Sequence, residues 1–255
     1  MTWRQLLQTV RVPELLFFAT IQPIMFVLLF AYVFGGAIPV PGGSYREYLM
    51  AGIFTQTVAF TTGATAVGLA TDLSKGLVDR FRSLPMARSA VLFGRTLGDS
   101  SRNLLVVVVM LSTGLLVGWR IHRGLLLALA GFALILLFGY AMSWVGAYIG
   151  LLVRTPETAN TAGFVWLFPL TFLSNAFVPL AGLPTWLRHA AEWNPVSATV
   201  AAARALFGNP NPLAGPSGAV PFPLAHPVLV SLGWSLLVLA VFVPLAVRRY
   251  RAAAN

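Results

Sequence analysis

Six stretches of the sequence run without a single Asp, Glu, Lys, Arg or His: residues 15–34, 49–70, 104–117, 125–153, 162–178 and 228–247. A helix needs about 20 apolar residues to cross a hydrocarbon core of about 30 Å, and a helix satisfies its own backbone polar groups there. A chain patterned this way is a polytopic membrane protein. The fourth stretch is long enough to tilt or to carry an interfacial end, and the helix of the third can begin earlier, before the membrane. Composition excludes the alternatives. Charged residues are 9% of the 255, against about 25% in soluble domains, too few to cover a soluble surface. Disorder requires low hydrophobicity, and 58% of the residues are apolar. There is no cysteine, so disulfides, thiol catalysis and Cys-based metal sites are excluded.

The net charge of +10 is a topology signal rather than a nucleic-acid signal, because the basic residues lie mostly in short connections between apolar stretches. The N-terminus, the 71–103 and 154–161 segments and the C-terminus hold Arg4, Arg11, Lys75, Arg80, Arg82, Arg88, Arg95, Arg102, Arg154, Arg248, Arg249 and Arg251, or 12 of the 17. The other side holds Arg46, Arg120, Arg123, Arg188 and Arg204. Both termini are therefore expected in the cytoplasm. The first stretch is too long for a signal-peptide core and no small-residue cleavage site follows it, so it reads as a retained span. Ahead of it, Trp3, Leu6, Leu7 and Val10 face one way and Arg4, Gln5, Gln8 and Arg11 the other, the pattern of an interfacial helix over residues 1–13.

All seven acids map to connections or span ends on this reading, which argues against proton or ion coupling within the membrane. The three histidines are far apart in sequence and no metal or catalytic cluster is expected. The only lysine, Lys75, precedes Gly76 and Leu77, so no phosphate-binding loop of the form G-x-x-x-x-G-K-[ST] is present. If the chain is energised, a partner supplies the energy.

Two connections are informative. In the 71–103 loop, Leu73, Leu77, Phe81 and Leu84 recur at helical spacing ahead of Pro85, which predicts a short amphipathic helix. Its outward face carries Lys75, Asp79, Arg80, Arg82 and Ser83. Such a face can rest on lipid headgroups or dock a cytoplasmic protein, and its mixed charge suits a protein better. The 179–227 segment begins apolar and helix-like, is broken at Asn194-Pro195, and predicts helices that dip into the outer membrane face, with Glu192 and Arg204 available to cap or pair. Its second half, residues 208–227, has six prolines and reads as an extended loop.

Four segments resemble the type-2 export class of ABC transporter permeases, and within it the daunorubicin/doxorubicin-resistance family. They are Asp79-Arg-Phe-Arg-Ser-Leu-Pro-Met-Ala-Arg-Ser-Ala-Val-Leu, Gly118-Trp-Arg-Ile-His-Arg-Gly, Arg154-Thr-Pro-Glu-Thr-Ala and Glu192-Trp-Asn-Pro-Val-Ser. Their order and spacing match across nearly the whole chain. The resemblance implies an all-α membrane protein: six transmembrane helices with an N-terminal interfacial helix, a cytoplasmic coupling helix and external re-entrant helices. That is the layout the hydropathy reading reaches, as a single permease domain over residues 1–255 of a cell-membrane protein.

The resemblance further implies a homodimer working with two cytoplasmic ATPase subunits. ATP and Mg would sit on those subunits, with no cofactor in this chain. Spans one and five would meet across the dimer axis, and a coupling helix would transmit the motor's movement. Its expected contact residues are Lys75, Asp79, Arg80, Arg82 and Ser83, with Pro85 fixing the helix end. Rows of small residues, Gly139, Ser143 and Ala147 on one span and Ala64 and Gly68 on another, suit close helix approach. For the substrate path, Gln22, Gln56, Thr57, Thr61, Thr62, Thr65, Phe164, Phe168, Thr171, Phe172, Ser174 and Asn175 are the candidates. A largely apolar path suits a planar, amphipathic or lipid-like solute. The same residues also suit packing, because Thr and Gln bond across helices and a Phe stripe packs or faces lipid. Competing functions are a passive channel or secondary carrier, an exporter of glycolipid or polymer in the same superfamily, and a membrane enzyme, for which no acid/base pair or metal cluster is visible.

Overall fold

The computed structural model describes residues 13–35, 38–75, 90–212 and 220–253. All but Pro13 of the expected interfacial helix over residues 1–13, and most of the expected coupling helix, lie outside them. Among the described residues all regular structure is helical. The elements are α1 (Pro13–Leu29), running into a π-helical turn Phe30–Phe34; α2 (Tyr45–Ser74); α3 (Ala90–Val117); α4 (Leu125–Leu152); α5 (Pro156–Phe172); α6 (Thr185–Glu192); α7 (Pro195–Phe207); α8 (Phe222–Ala225); and α9 (Pro227–Ala253). Four of these, α2, α3, α4 and α9, are long and apolar enough to cross a membrane; α7 and the Ile21–Phe34 part of the first helix are shorter apolar helices. The chain is a multi-pass membrane protein.

Local chemistry places the helix ends, and three of the four family-like segments are such ends. Thr155 caps α5 by accepting from the Thr158 backbone N–H, with Pro156 at its first turn and Glu157 beside it. Asn194 caps α7 by accepting from Val196 N–H. Gly118 and Gly124 take φ of +100° and +83° where α3 turns over to α4, a region in which a Cβ is strained. The segment they bracket is pinned from above: Trp119 Nε1 donates to Asn209 Oδ1 at 2.7 Å, and Asn209 Nδ2 donates to the Arg120 carbonyl at 2.9 Å.

The helix of span three begins ahead of its apolar stretch, as expected, at Ala90, and α2 continues to Ser74, so the 71–103 loop shrinks to the connection between them. Two further expectations change. Span five, expected over 162–178, is helical from Pro156 only to Phe172; its end is stopped by Asn194, whose Nδ2 takes the carbonyls of Leu170 and Leu173 at 2.7 and 2.6 Å. Within the expected 208–227 loop, residues Phe222–Ala225 form a helical turn and Pro227 opens α9. Asp99, just ahead of the third apolar stretch, lies within α3 and is buried, at 7% exposure.

The packing centres on α2, whose widest contacts are with α4 and then α5. Gly146 and Gly150, one turn apart on α4, lie directly on the α2 backbone: a Cβ at either would overlap the carbonyl of Thr62 or Ala66. Gly139 completes the row against Val58, so Gly146 and Gly150, which the four-residue spacing passed over, join Gly139 on the close-approach face of α4. Of the pair on α2, Ala64 is exposed and Gly68 makes room for a side chain of α3. Gly146→Leu is expected to pry α4 from α2 and cost about 1–3 kcal/mol by overpacking. The measurement is thermal unfolding in detergent; an unchanged midpoint would show that the two helices are not in backbone contact.

Candidate substrate path and coupling region

Eight phenylalanines from three helices and one loop form a continuous ladder. Phe60 of α2 contacts Phe164 and Phe168 of α5, with ring centroids 5.7 and 5.4 Å apart. Along α5, Phe164, Phe168 and Phe172 follow at 5.7 Å steps, the last two within 11° of parallel. Phe172 leads to Phe177 at 5.6 Å, which stacks on Phe30 of the first helix at 5.0 Å; Phe26 and Phe34 flank Phe30 at 5.7 and 5.0 Å. Offset and edge contacts of this kind suit the aromatic quadrupole. Phe168 and Phe172 remain 47% and 54% exposed, so the middle of the ladder opens on the surface of the protomer.

The other expected path residues divide. Gln22 is exposed on α1, Gln56 is buried on α2 and Thr57 half-buried. Thr61 faces α3, where its hydroxyl accepts from Asn103 Nδ2 at 3.1 Å. Thr65 also faces α3, donating to Asp99 Oδ2 at 2.7 Å. Thr62, Thr171 and Ser174 donate to carbonyls of their own chain segment. Asn175 is nearly buried and belongs to a knot at the far end of α2.

That knot is organised by Arg204, which the sequence offered as a residue to cap or pair, without partners across the chain. It is fully buried in α7. Its Nε donates to the Tyr48 carbonyl at 2.8 Å and its Nη2 to the carbonyls of Asn175 and Ala176 at 2.9 and 3.1 Å. Its guanidinium stacks on the Tyr48 ring, 3.4 Å from the centroid. Tyr48 Oη donates to the Asn175 carbonyl at 2.6 Å, Tyr45 Oη to the Phe177 carbonyl at 3.0 Å, and Asn175 N–H to Ser197 Oγ at 3.1 Å. Residues 173–177 leave the helix, yet the N–H and carbonyl of Leu173, Asn175 and Ala176 and the Phe177 carbonyl are paired, as irregular backbone among apolar helices requires. Glu192 pairs with His189 at 3.1 Å and Arg188 at 3.6 Å. A lone arginine in the Ala-rich run of α7 was the sequence signal for this knot.

At the opposite end, where residues 76–89 join α2 to α3, Lys75 caps α2 with its backbone N–H on the Thr71 carbonyl. Asp79, Arg80, Arg82, Ser83 and Pro85 lie outside the described residues. The helices on either side are tied by an Asp72–Arg95 ion pair, by the Thr65–Asp99 bond, with Arg102 3.7 Å from Asp99, and by the Asn103–Thr61 bond. Among the described residues no group of three His, Cys, Asp or Glu is placed to hold a metal ion.

Comparison with known proteins assigns the family. The sequence profile described as ABC-2 type transporter matches residues 1–207. The chain is 33% identical over 249 residues to the daunorubicin resistance ABC transporter permease protein DrrB1 of Streptomyces coeruleorubidus, covering 98% of this chain and 84% of the relative. It is 28% identical over 241 residues to the probable doxorubicin resistance ABC transporter permease protein DrrC of Mycobacterium tuberculosis, covering 93% and 82%. A putative transport permease, ycf38 of Cyanophora paradoxa, is 26% identical over 243 residues, covering 94% and 82%. The chain belongs to the ABC-2 type transporter family.

Proposed function

We propose that this chain is the permease subunit of an ATP-driven exporter that moves a hydrophobic or amphipathic compound, drug or lipid-like, out of the cell. The observation that carries the reading is the aromatic ladder: an apolar, partly exposed row from α2 through α5 to the first helix suits a flat solute that partitions into lipid. α1 and α5 complete six crossings, α6 and α7 are the re-entrant pair, both termini are cytoplasmic, and residues 1–255 form one permease domain. Two copies face each other through the α1 and α5 sides, enclosing a path one protomer cannot surround. Two ATPase subunits, with ATP and Mg, dock at residues 75–89, where Lys75, Asp79, Arg80, Arg82, Ser83 and Pro85 meet them. Both relatives named for drug resistance are called ABC transporter permeases, which supports a separate motor.

The test is reconstitution of the chain with the ABC ATPase subunit that copurifies with it. Uptake of a fluorescent planar amphiphile into inverted vesicles should require ATP and stop with vanadate. Movement indifferent to ATP and vanadate would make the chain a passive channel or carrier. Transport of a labelled glycolipid, with no drug moved, would assign it to polymer or glycolipid export.

A further inference from the structure

The polar pairs between α2 and α3 form one seam. Asp72, Thr65 and Thr61 recur along one face of α2, and Arg95, Asp99 and Asn103, each four residues apart, along the facing side of α3. Gly68 lies between Asp72 and Thr65, and a Cβ there would overlap the Arg95 guanidinium, so the arginine crosses α2 through a gap made for it. α2 meets its other main neighbours differently: α4 through Gly146 and Gly150 on the bare backbone, and α5 through Gly63 on Gly163 and the Phe60 ring contacts. The polar seam is thus confined to the two helices that residues 76–89 connect, and begins at the end where that connection attaches.

Ionic and amide groups are costly among apolar helices, and well-packed aliphatic side chains hold such a pair at least as stably. What polar pairs add is register. Apolar surfaces slide past one another at small cost. Sliding α3 by one residue against α2 would break the Asp72–Arg95, Thr65–Asp99 and Thr61–Asn103 pairs together. It would leave Asp99 and Asn103, 7% and 1% exposed, without their α2 partners Thr65 and Thr61.

We infer that Asp72, Arg95, Thr65, Asp99, Thr61 and Asn103 are positioning residues that lock α2 and α3 into one rigid lever. Displacement of residues 76–89 is then delivered through α2 to α4 and α5 rather than dissipated as slip between the two legs. This rests on the reading that a motor subunit acts at residues 75–89.

The sequence has no cysteine, so spin labels can be placed on the native background as Ser74→Cys with Leu97→Cys, both exposed positions, one on each leg. In the assembled complex the label separation should be the same without nucleotide and with ATP trapped. In Asp72→Asn it should shift or broaden on ATP binding. That variant should copurify with the ATPase and hydrolyse ATP, while solute moved per ATP falls about tenfold, within the usual span of coupling between sites. The exchange Asp72→Arg with Arg95→Asp should restore both readouts. Should Asp72→Asn fail to assemble, Thr65→Val, which removes one rung at constant volume, takes its place with the same expectations. A label separation that moves with nucleotide in the otherwise native chain overturns the lever, as does normal solute per ATP in Asp72→Asn or in Thr65→Val. A native complex that transports without ATP instead overturns the function on which the lever rests, and is recognised before any variant is made.

Discussion

Arg204→Ala should remove most of the folded protein from the membrane. Three carbonyls, of Tyr48, Asn175 and Ala176, accept from this one guanidinium, and the Asn175 carbonyl accepts from Tyr48 Oη as well. Leaving a buried acceptor unpaired costs about 1–3 kcal/mol, and truncating a fully buried side chain adds the cost of the cavity it leaves beside the Tyr48 ring. Against a total stability of about 5–15 kcal/mol, that loss depletes the native state. Arg204→Lys should recover only part of it, because an ammonium on a flexible stem cannot serve both sides of the knot and stack on Tyr48 at once. Detergent-solubilised yield and unfolding midpoint read the effect. A midpoint unchanged in Arg204→Ala would mean that residues 173–177 are held by something other than Arg204.

Phe168→Ala combined with Phe172→Ala is expected to act on transport and spare the fold. Both rings are about half exposed, so truncation opens no closed cavity, although Phe60 and Phe177 lose neighbours. An aromatic contact is worth about 0.5–1.5 kcal/mol, so losing two against a planar solute weakens its binding roughly fivefold to hundredfold. Export should fall in that range at normal protein abundance, and Phe→Leu at both positions should fall between. Full export by the alanine variant for every solute tested would place the path elsewhere. Thr61→Val serves as the contrast: its hydroxyl is held by Asn103 of α3, so its loss should disturb the helix pair rather than solute recognition.

How far the sequence carried the site differs from residue to residue. The Phe164–Phe168–Phe172 row was legible because a repeat of four residues on a helix makes a stripe whatever surrounds it. Its extension through Phe177 to Phe30 was not, because that depends on how a non-helical turn folds back over the first helix. Gly146 and Gly150 were passed over beside the evenly spaced Gly139, Ser143 and Ala147, because only the facing backbone of α2 shows which glycines it rests on. Thr61 and Thr65 read as path residues on composition, and the structure turns both hydroxyls toward α3. Asp99 read as a span-end acid from its place just ahead of the third apolar stretch; its burial and its bond from Thr65 depend on how α2 and α3 pack.

Membrane class, the apolar stretches, the balance of basic residues and the family were determined by the sequence alone. Each is a property of short segments: the free energy of moving a segment from water to hydrocarbon is a sum over its own residues. Only the tertiary structure decided where α5 stops, which arginine is buried and which polar side chains pair. Those outcomes depend on partners distant in the chain, 156 positions between Arg204 and Tyr48 and 34 between Thr65 and Asp99. A buried polar group is stable only when its partner arrives at hydrogen-bond distance, and the partner's position is set by the packing of the helices rather than by any local run of sequence.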